Sequence, residues 1–153
     1  MLTFVVGTVL QAASAQVPCP SPPPVAPGFE GWAVPARATK TLPLDHRIVV
    51  PLLPTTQVRY ALPPEKPGTA AQRGTVVRFT VPSAGRYRIA LSAAAWIDVV
   101  AGGKPVASTG HTHGPACTGM RKIVDFTLAP GSHLLQISGA EAKMIGVMIA
   151  PAR

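Results

Sequence analysis

The sequence is poor in aromatic and in acidic residues, and both shortages exclude classes of function. Phe, Trp and Tyr make up 5% of the 153 residues, too few to build the base-stacking platforms of single-strand nucleic-acid binders. No segment is dense in Lys and Arg, so we expect no nucleic-acid partner. The 6 Asp and Glu residues are scattered along the chain, and they form no pair spaced for acid–base catalysis. Glycine-rich phosphate loops and serine elbow motifs are also missing.

Long apolar runs are missing as well. No run reaches the ~20 residues that a transmembrane helix needs. The apolar run over residues 1–10 is followed by Ala13-Ser14-Ala15, a small-x-small signature of signal-peptide cleavage. We therefore predict a signal peptide over residues 1–15, no transmembrane segment, and a periplasmic or secreted protein.

Cysteine is scarce, with Cys19 and Cys117 as the two in the chain. In an oxidising compartment, two cysteines are most simply a disulfide. A Cys19–Cys117 bond would close a loop of nearly a hundred residues, worth up to ~4–5 kcal/mol in the chain-entropy model. The alternatives are a Cys117 thiolate that binds metal or acts as a nucleophile beside His113. Export favours oxidation over both, and no dedicated orienting carboxylate is visible.

Proline is abundant, and its distribution divides the chain. A proline-rich arm over residues 16–40 prefers extended polyproline geometry. Within the arm, Phe29 and Trp32 are either anchors that pack on the domain or an exposed aromatic platform, and we favour the anchors. From residue 41 to 153, short alternating apolar runs are separated by Pro, Gly and Ser, and no window shows a helical period. The runs cover residues 47–53, 57–62, 75–81, 86–92, 96–101, 104–108, 122–128, 133–138 and 144–149.

This pattern predicts an all-β domain: a single antiparallel β-sandwich or jelly roll of about eight or nine strands. Alternation then assigns inward positions to Tyr60, Phe79, Tyr87, Ile89, Leu91, Val124 and Phe126. It assigns outward positions to four arginines, whose side chains could group on one sheet face: Arg59, Arg78, Arg86 and Arg88. With a formal net charge of +8, these arginines form either a solvated polar face or a binding face for an anionic glycan or another envelope component.

Two resemblances add expectations to the pattern. The segments 79–82, 85–89, 97–104 and 126–139 resemble the bacterial pre-peptidase C-terminal domain family. That resemblance covers about half of the chain, from Thr75 to Ile149, and implies a small secreted β-sandwich with a non-catalytic accessory role. The motifs Gly31-Trp32, Trp96-Ile97-Asp98-Val99-Val100 and Ser108-Thr109-Gly110-His111-x-His113-Gly114-Pro115-x-Cys117, followed by Arg121-Lys122, resemble small exported proteins of sphingomonad-like proteobacteria. Members of that set are often labelled homogentisate 1,2-dioxygenase, which implies iron held by two histidines and a glutamate.

The central segment Ser108–Phe126, predicted to be mainly a Gly/Pro-rich loop between strands, holds the candidate metal ligands. His111 and His113 point the same way if the chain is extended, and Met120 could complete a site. Imidazole with a thioether suits copper, and imidazole alone accepts zinc. The alternative interpretation is an exposed loop whose histidines hydrogen-bond the turn backbone while Cys117 staples it.

Iron is the weaker interpretation, because a cupin-type site also needs a glutamate near the His-x-His pair and a later histidine. His133 could be the later histidine, but no Glu lies between Glu65 and Glu141. Asp125 or Glu141 would have to serve at the wrong spacing. We therefore predict a small exported binding or accessory module, with a copper or zinc site at His111 and His113, rather than an enzyme. The alternative is a metal-dependent dioxygenase of the homogentisate type.

Overall fold

The computed structural model describes residues 16–37 and 39–153. The predicted signal peptide lies outside the described residues. These residues form the predicted all-β sandwich, with eleven strands in two sheets. Of the helices within the described ranges, none is long and apolar enough to cross a membrane.

The strands are β1 (Thr41–Leu42), β2 (Ile48–Pro51), β3 (Leu53–Pro54), β4 (Arg73–Val81), β5 (Gly85–Leu91), β6 (Trp96–Ala101), β7 (Lys104–Val106), β8 (Ser108–Thr112), β9 (Lys122–Leu128), β10 (Gly131–Ala140) and β11 (Met144–Pro151). Two short 3₁₀ helices cover Glu30–Trp32 and Thr55–Gln57. The first sheet has the order β1-β4-β10-β6-β7, and β3 also pairs with β4. The second sheet has the order β2-β11-β5-β9-β8. The count exceeds the predicted eight or nine because the apolar pattern does not indicate the two-residue strands β1 and β3 or the edge strand β8, while one predicted strand, over residues 57–62, does not form.

The core lies between the two sheets and is built from the alternating positions that the sequence indicates. The predicted inward residues that are buried are Phe79, Tyr87, Ile89, Leu91, Val124 and Phe126. They pack with apolar side chains of β10 and β11, including Leu135, Ile137 and Ile149. The prediction of these inward faces is therefore confirmed, with the exception of Tyr60.

The predicted strand over residues 57–62 is wrong, because this segment crosses the outer face of the first sheet as a loop. The buried carboxamide of Gln136 on β10 accepts hydrogen bonds from the amides of Ala61 (2.7 Å) and Leu62 (3.1 Å) and donates one to the Leu62 carbonyl (3.0 Å). A side chain therefore satisfies backbone groups that a strand would present to a neighbour. Tyr60 is only half-buried, and its hydroxyl donates to the carbonyl of Ile137 at 3.1 Å.

The proline-rich arm covers the outer face of the second sheet. Phe29 and Trp32 are buried, so the prediction that they anchor the arm is confirmed. We call their packing group the arm cluster, and it consists of Ala26, Phe29, Trp32, Ala90, Met120, Ile123, Met148 and Ala150. Its sheet residues alternate with core residues along β5, β9 and β11, so this sheet is apolar on both faces. The Trp32 indole N–H donates to the carbonyl of Thr118 at 2.9 Å.

A disulfide between Cys19 and Cys117 ties the start of the arm to the segment between β8 and β9. Its Cα atoms are 5.4 Å apart, and the two residues are separated by 98 positions. The predicted disulfide is confirmed. Cys117 therefore offers no thiolate, which excludes the metal-ligand and nucleophile alternatives for this residue in the oxidised protein.

The disulfide leads to a prediction about stability. Replacing both cysteines (Cys19→Ser with Cys117→Ser) should lower the free energy of unfolding by about 2–4 kcal/mol, because the unfolded chain gains loop entropy. Urea unfolding of the exported form measures the loss. Val17→Ala is the matched control, since Val17 lies in the arm but is 88% exposed. An unchanged urea midpoint in the double serine variant would contradict the role assigned to this bond.

A second prediction concerns Gln136. Gln136→Leu should cost about 1–3 kcal/mol, because it removes the hydrogen bonds that the buried carboxamide makes to the backbone of Ala61 and Leu62. Hydrogen exchange should accelerate specifically at the amides of Ala61 and Leu62. Gln57→Leu is the control, because Gln57 is exposed and its replacement should stay within ~0.5 kcal/mol. Protected Ala61 and Leu62 amides in the Gln136 variant would show that the loop does not depend on this side chain.

Candidate functional site

A cavity opens where the first sheet has a short edge strand. The ladder between β6 and β7 covers only Val99 to Ala101 of β6, so the stretch Trp96–Asp98 has no strand neighbour on that side. The chain then crosses to the second sheet between β7 and β8. The cavity in this gap has a volume of about 640 Å³, and we call it the edge cavity. Its apolar walls include Leu62, Pro63, Val100, Pro105, Val106 and Phe126.

Two polar side chains in these walls are already engaged. Asp98 accepts a hydrogen bond from the Trp96 indole N–H (2.9 Å) on one carboxylate oxygen and from the Glu65 amide (3.1 Å) on the other. The Gln136 carboxamide is occupied by the loop at both ends. The edge cavity therefore presents apolar surface together with polar groups that hold its own walls in place.

Trp96 stands at the edge cavity between two lysines. The Lys66 ammonium lies 4.1 Å from the centroid of the Trp96 ring, and the Lys122 ammonium lies 4.9 Å from it. Cations at these distances are attracted to the face of an indole. Ser138 fixes the first lysine by donating a hydrogen bond to the Lys66 carbonyl at 2.7 Å. Lys122 donates to the carbonyl of Ala95 at 3.1 Å.

The electrostatic environment of Lys122 is positive. Burial lowers the pKa of Lys122 below its ordinary value of 10.5, and the neighbouring Lys66 lowers it further. The two lysines at Trp96 therefore repel each other, and an anion placed near Lys122 would relieve that repulsion.

Burial raises the pKa of Tyr60 above 10.0, with a smaller contribution from the negative charge of Asp98.

His111 and His113 line a second, smaller cavity of about 280 Å³, together with Arg121, Lys122 and the backbone around Ala95. We call it the histidine cleft. The prediction of a loop from Ser108 is wrong at this point, because Ser108–Thr112 forms the edge strand β8 and pairs with β9. His111 stands opposite Val124, so it lies on the core-facing side of the second sheet, at its open edge.

His113 is in contact with an arginine. Its ring Nδ1 lies 3.1 Å from Arg121 Nη1 and 3.3 Å from the Arg121 carbonyl oxygen. When Nδ1 accepts the hydrogen bond from the guanidinium, Nε2 carries the ring proton and is a donor. A metal at Nε2 requires the other tautomer, in which Nδ1 donates to the carbonyl and the bond from Arg121 is lost.

The predicted metal ligands do not fit a complete metal shell. Met120 is buried in the arm cluster and does not line the histidine cleft, and Cys117 is oxidised. His133, the later histidine of the iron interpretation, is buried on the first sheet, where it stacks on Phe79 and its Nε2 lies 2.8 Å from the Ala129 carbonyl. No group of three or more His, Cys, Asp or Glu side chains comes together within residues 16–37 and 39–153.

The predicted arginine face is divided between the two sheets. Arg78 lies on β4 of the first sheet, whereas Arg86 and Arg88 lie on β5 of the second. Arg59 lies in the loop across the first sheet. The four arginines do not share a sheet face, because the turn after β4 carries the chain from one sheet to the other. Arg88 pairs with Asp125 at 3.5 Å. An anionic ligand at these arginines stays a prediction.

Sequence reasoning missed the residues that shape both cavities. Trp96 and Asp98 alternate with the core residue Ile97 on β6, and an outward tryptophan beside an aspartate was the available signal. Arg121 and Lys122 follow His113 by eight and nine residues, but this proximity along the chain did not show that they line the same cleft. Gln136 gave no signal, because a glutamine at an outward strand position is usually exposed.

Comparison of the chain with protein-family models, with curated proteins and with solved structures finds no match in any of the three. The resemblances to pre-peptidase C-terminal domains and to the exported proteins labelled as dioxygenases therefore stay predictions. The function has to be argued from the two cavities.

The pair of lysines at Trp96 gives a prediction. Lys66→Gln should raise the pKa of Lys122 toward its ordinary value, because it removes the nearby positive charge. Because folding lowers this pKa, the unfolded chain binds more protons between the folded pKa and 10.5, and stability rises with pH across that window. That rise should be smaller in the Lys66 variant. NMR titration of the lysine Cε resonances measures the pKa, with the exposed Lys104→Gln as control. A Lys122 pKa that is equal in wild type and Lys66→Gln would refute the coupling.

Proposed function

We propose that this protein is an exported, non-catalytic binding module that takes a predominantly apolar small molecule into the edge cavity. The observation that carries the proposal is the cavity itself: about 640 Å³, with mainly apolar walls and with the polar side chains of Asp98 and Gln136 committed to the protein. Small-molecule sites occupy about 300–1,000 Å³ and are lined mainly by apolar groups with few polar ones. The edge cavity has both properties.

The hydrogen bonds of Asp98 and Gln136 support binding over catalysis at these two wall residues. General acid–base catalysis needs a side chain that can exchange a proton with the substrate. The carboxylate of Asp98 is held by Trp96 and Glu65, and the amide of Gln136 is held by the loop. Asp98 therefore acts as a structural acceptor that keeps Trp96 and the loop at the cavity.

The alternative is an iron dioxygenase of the homogentisate type. Its metal would need two histidines and a carboxylate with open positions for oxygen and substrate. His111 and His113 adjoin Arg121 and Lys122 in the cleft, and Asp125 is paired with Arg88. No observation on the described residues favours this alternative, and we do not propose it.

Export is part of the proposal, and the Cys19–Cys117 disulfide supports it. Disulfides of this kind persist in the periplasm and outside the cell, whereas reducing systems in the cytosol keep thiols reduced. An apolar ligand in that location would be a component of the envelope or of the surroundings. The loop over the first sheet, which carries Leu62 and Pro63, would form one wall of the ligand site.

Binding of a neutral apolar fluorescent probe, N-phenyl-1-naphthylamine, tests the proposal. We expect saturable binding with a fluorescence increase, and a loss of about tenfold in affinity in Pro105→Phe, equivalent to about 1.4 kcal/mol. The new ring would occupy the mouth of the cavity, where the exposed Pro105 forms part of the lining. The control is Thr80→Phe, which adds the same ring at an exposed position of β4 outside the lining. No saturable binding, or equal affinity in the two variants, would refute the proposal.

A further inference from the structure

We infer that the histidine cleft is a binding site for a small oxyanion, such as the carboxylate, sulfate or phosphate group of a ligand. Four of its lining side chains carry N–H donors: His111, His113, Arg121 and Lys122. No carboxylate belongs to the lining. Arginine and lysine bind oxyanions through charge-assisted hydrogen bonds, and imidazole N–H groups add donors that need no further charge.

The acidic residue of the neighbouring strand does not oppose this charge. Asp125 alternates with the core residue Val124 on β9, so it lies on the outer side of the sheet, whereas His111 lies on the core-facing side. There its carboxylate pairs with Arg88. The positive charge of the cleft is therefore not neutralised from β9, which itself supplies the cation Lys122.

The donors are held in place by the fold. His111 is fixed by the pairing of β8 with β9, and His113 follows directly after β8 and contacts Arg121. Lys122 begins β9, and its ammonium is held by the Ala95 carbonyl. A site whose donors are positioned before binding loses less conformational freedom when the ligand arrives.

The same cleft is unsuited to a metal cation. Two of its four nitrogen-bearing side chains are cations, and like charges at close range disfavour a divalent ion. In addition, the bond from the Arg121 guanidinium to His113 Nδ1 requires the tautomer in which Nε2 is a donor, and a metal at Nε2 would break that bond. The two ligand classes therefore predict opposite effects of one substitution. Removing Arg121 should weaken the binding of an anion and strengthen the binding of a metal ion.

Titration with inorganic sulfate and inorganic phosphate, followed by amide chemical shifts, tests the inference. We expect saturable shifts confined to β8, residues 113–122 and the start of β9, and a loss of about tenfold in affinity in Arg121→Ala. The control is Arg86→Ala, an exposed arginine of the same sheet outside the cleft, which should leave the affinity unchanged. His111→Gln with His113→Gln should also weaken binding, and unchanged thermal midpoints would show that these exposed substitutions leave the fold intact.

Three results would overturn the inference. The first is the absence of saturable shifts in the cleft with both anions, and the second is an equal loss of affinity in Arg86→Ala. The third comes from a parallel titration with Zn²⁺: stoichiometric binding that Arg121→Ala strengthens would assign the cleft to a metal. Sulfate binding should persist in Pro105→Phe, because that substitution lies outside the cleft lining. The oxyanion site and the apolar edge cavity can therefore fail independently.

Discussion

The edge cavity depends on one buried carboxamide, that of Gln136. It lies on the outer face of the first sheet, where an unsatisfied amide would cost about 1–3 kcal/mol, and the loop over residues 57–68 supplies its partners. With the loop fixed at Leu62, the Glu65 amide reaches Asp98 and the Lys66 carbonyl reaches Ser138. These bonds place one wall of the cavity and one of the two lysines at Trp96. A polar position on a central strand thus determines the shape of an apolar site.

The second sheet is covered through apolar packing instead of through hydrogen bonds to a buried carboxamide. Its outer face is apolar, and the arm packs Phe29 and Trp32 on it, while the disulfide holds the start of the arm near β8 and β9. Burial of two large aromatic side chains contributes about 1.5–3 kcal/mol for each, and the crosslink reduces the entropy that the arm would regain on detaching. At the edge of this sheet, His111 of β8 and the following His113 are exposed. The covering loop of the first sheet thus lines the edge cavity, whereas the arm on the second sheet lies outside the lining of the histidine cleft.

Alternation of apolar side chains explains which parts of the fold the sequence could predict. β5, β6 and β9 carry core residues at every second position, so periodicity located them well. Ser108–Thr112 has no such alternation, because its side chains are Ser, Thr, Gly and His, and it becomes a strand only through pairing with β9. The segment 57–62 shows the opposite failure: it alternates, but Gln136 satisfies its backbone. The cavities could not be predicted from the sequence either, because each lies between segments that are distant along the chain.

The His-x-His segment shows why a motif needs its spatial neighbours before it can indicate chemistry. An imidazole nitrogen is a metal ligand when its lone pair is free and a donor when it carries the proton, and the partner of the other ring nitrogen decides between the two. In this fold the partner is a guanidinium from the residues before β9, and the thiolate that could have offset the charge is oxidised. Arg121 and Lys122 also add two positive charges to the cleft, which disfavour a metal cation there. The sequence places these cations within eleven residues of His111, but only the pairing of β8 with β9 brings them to the same cleft.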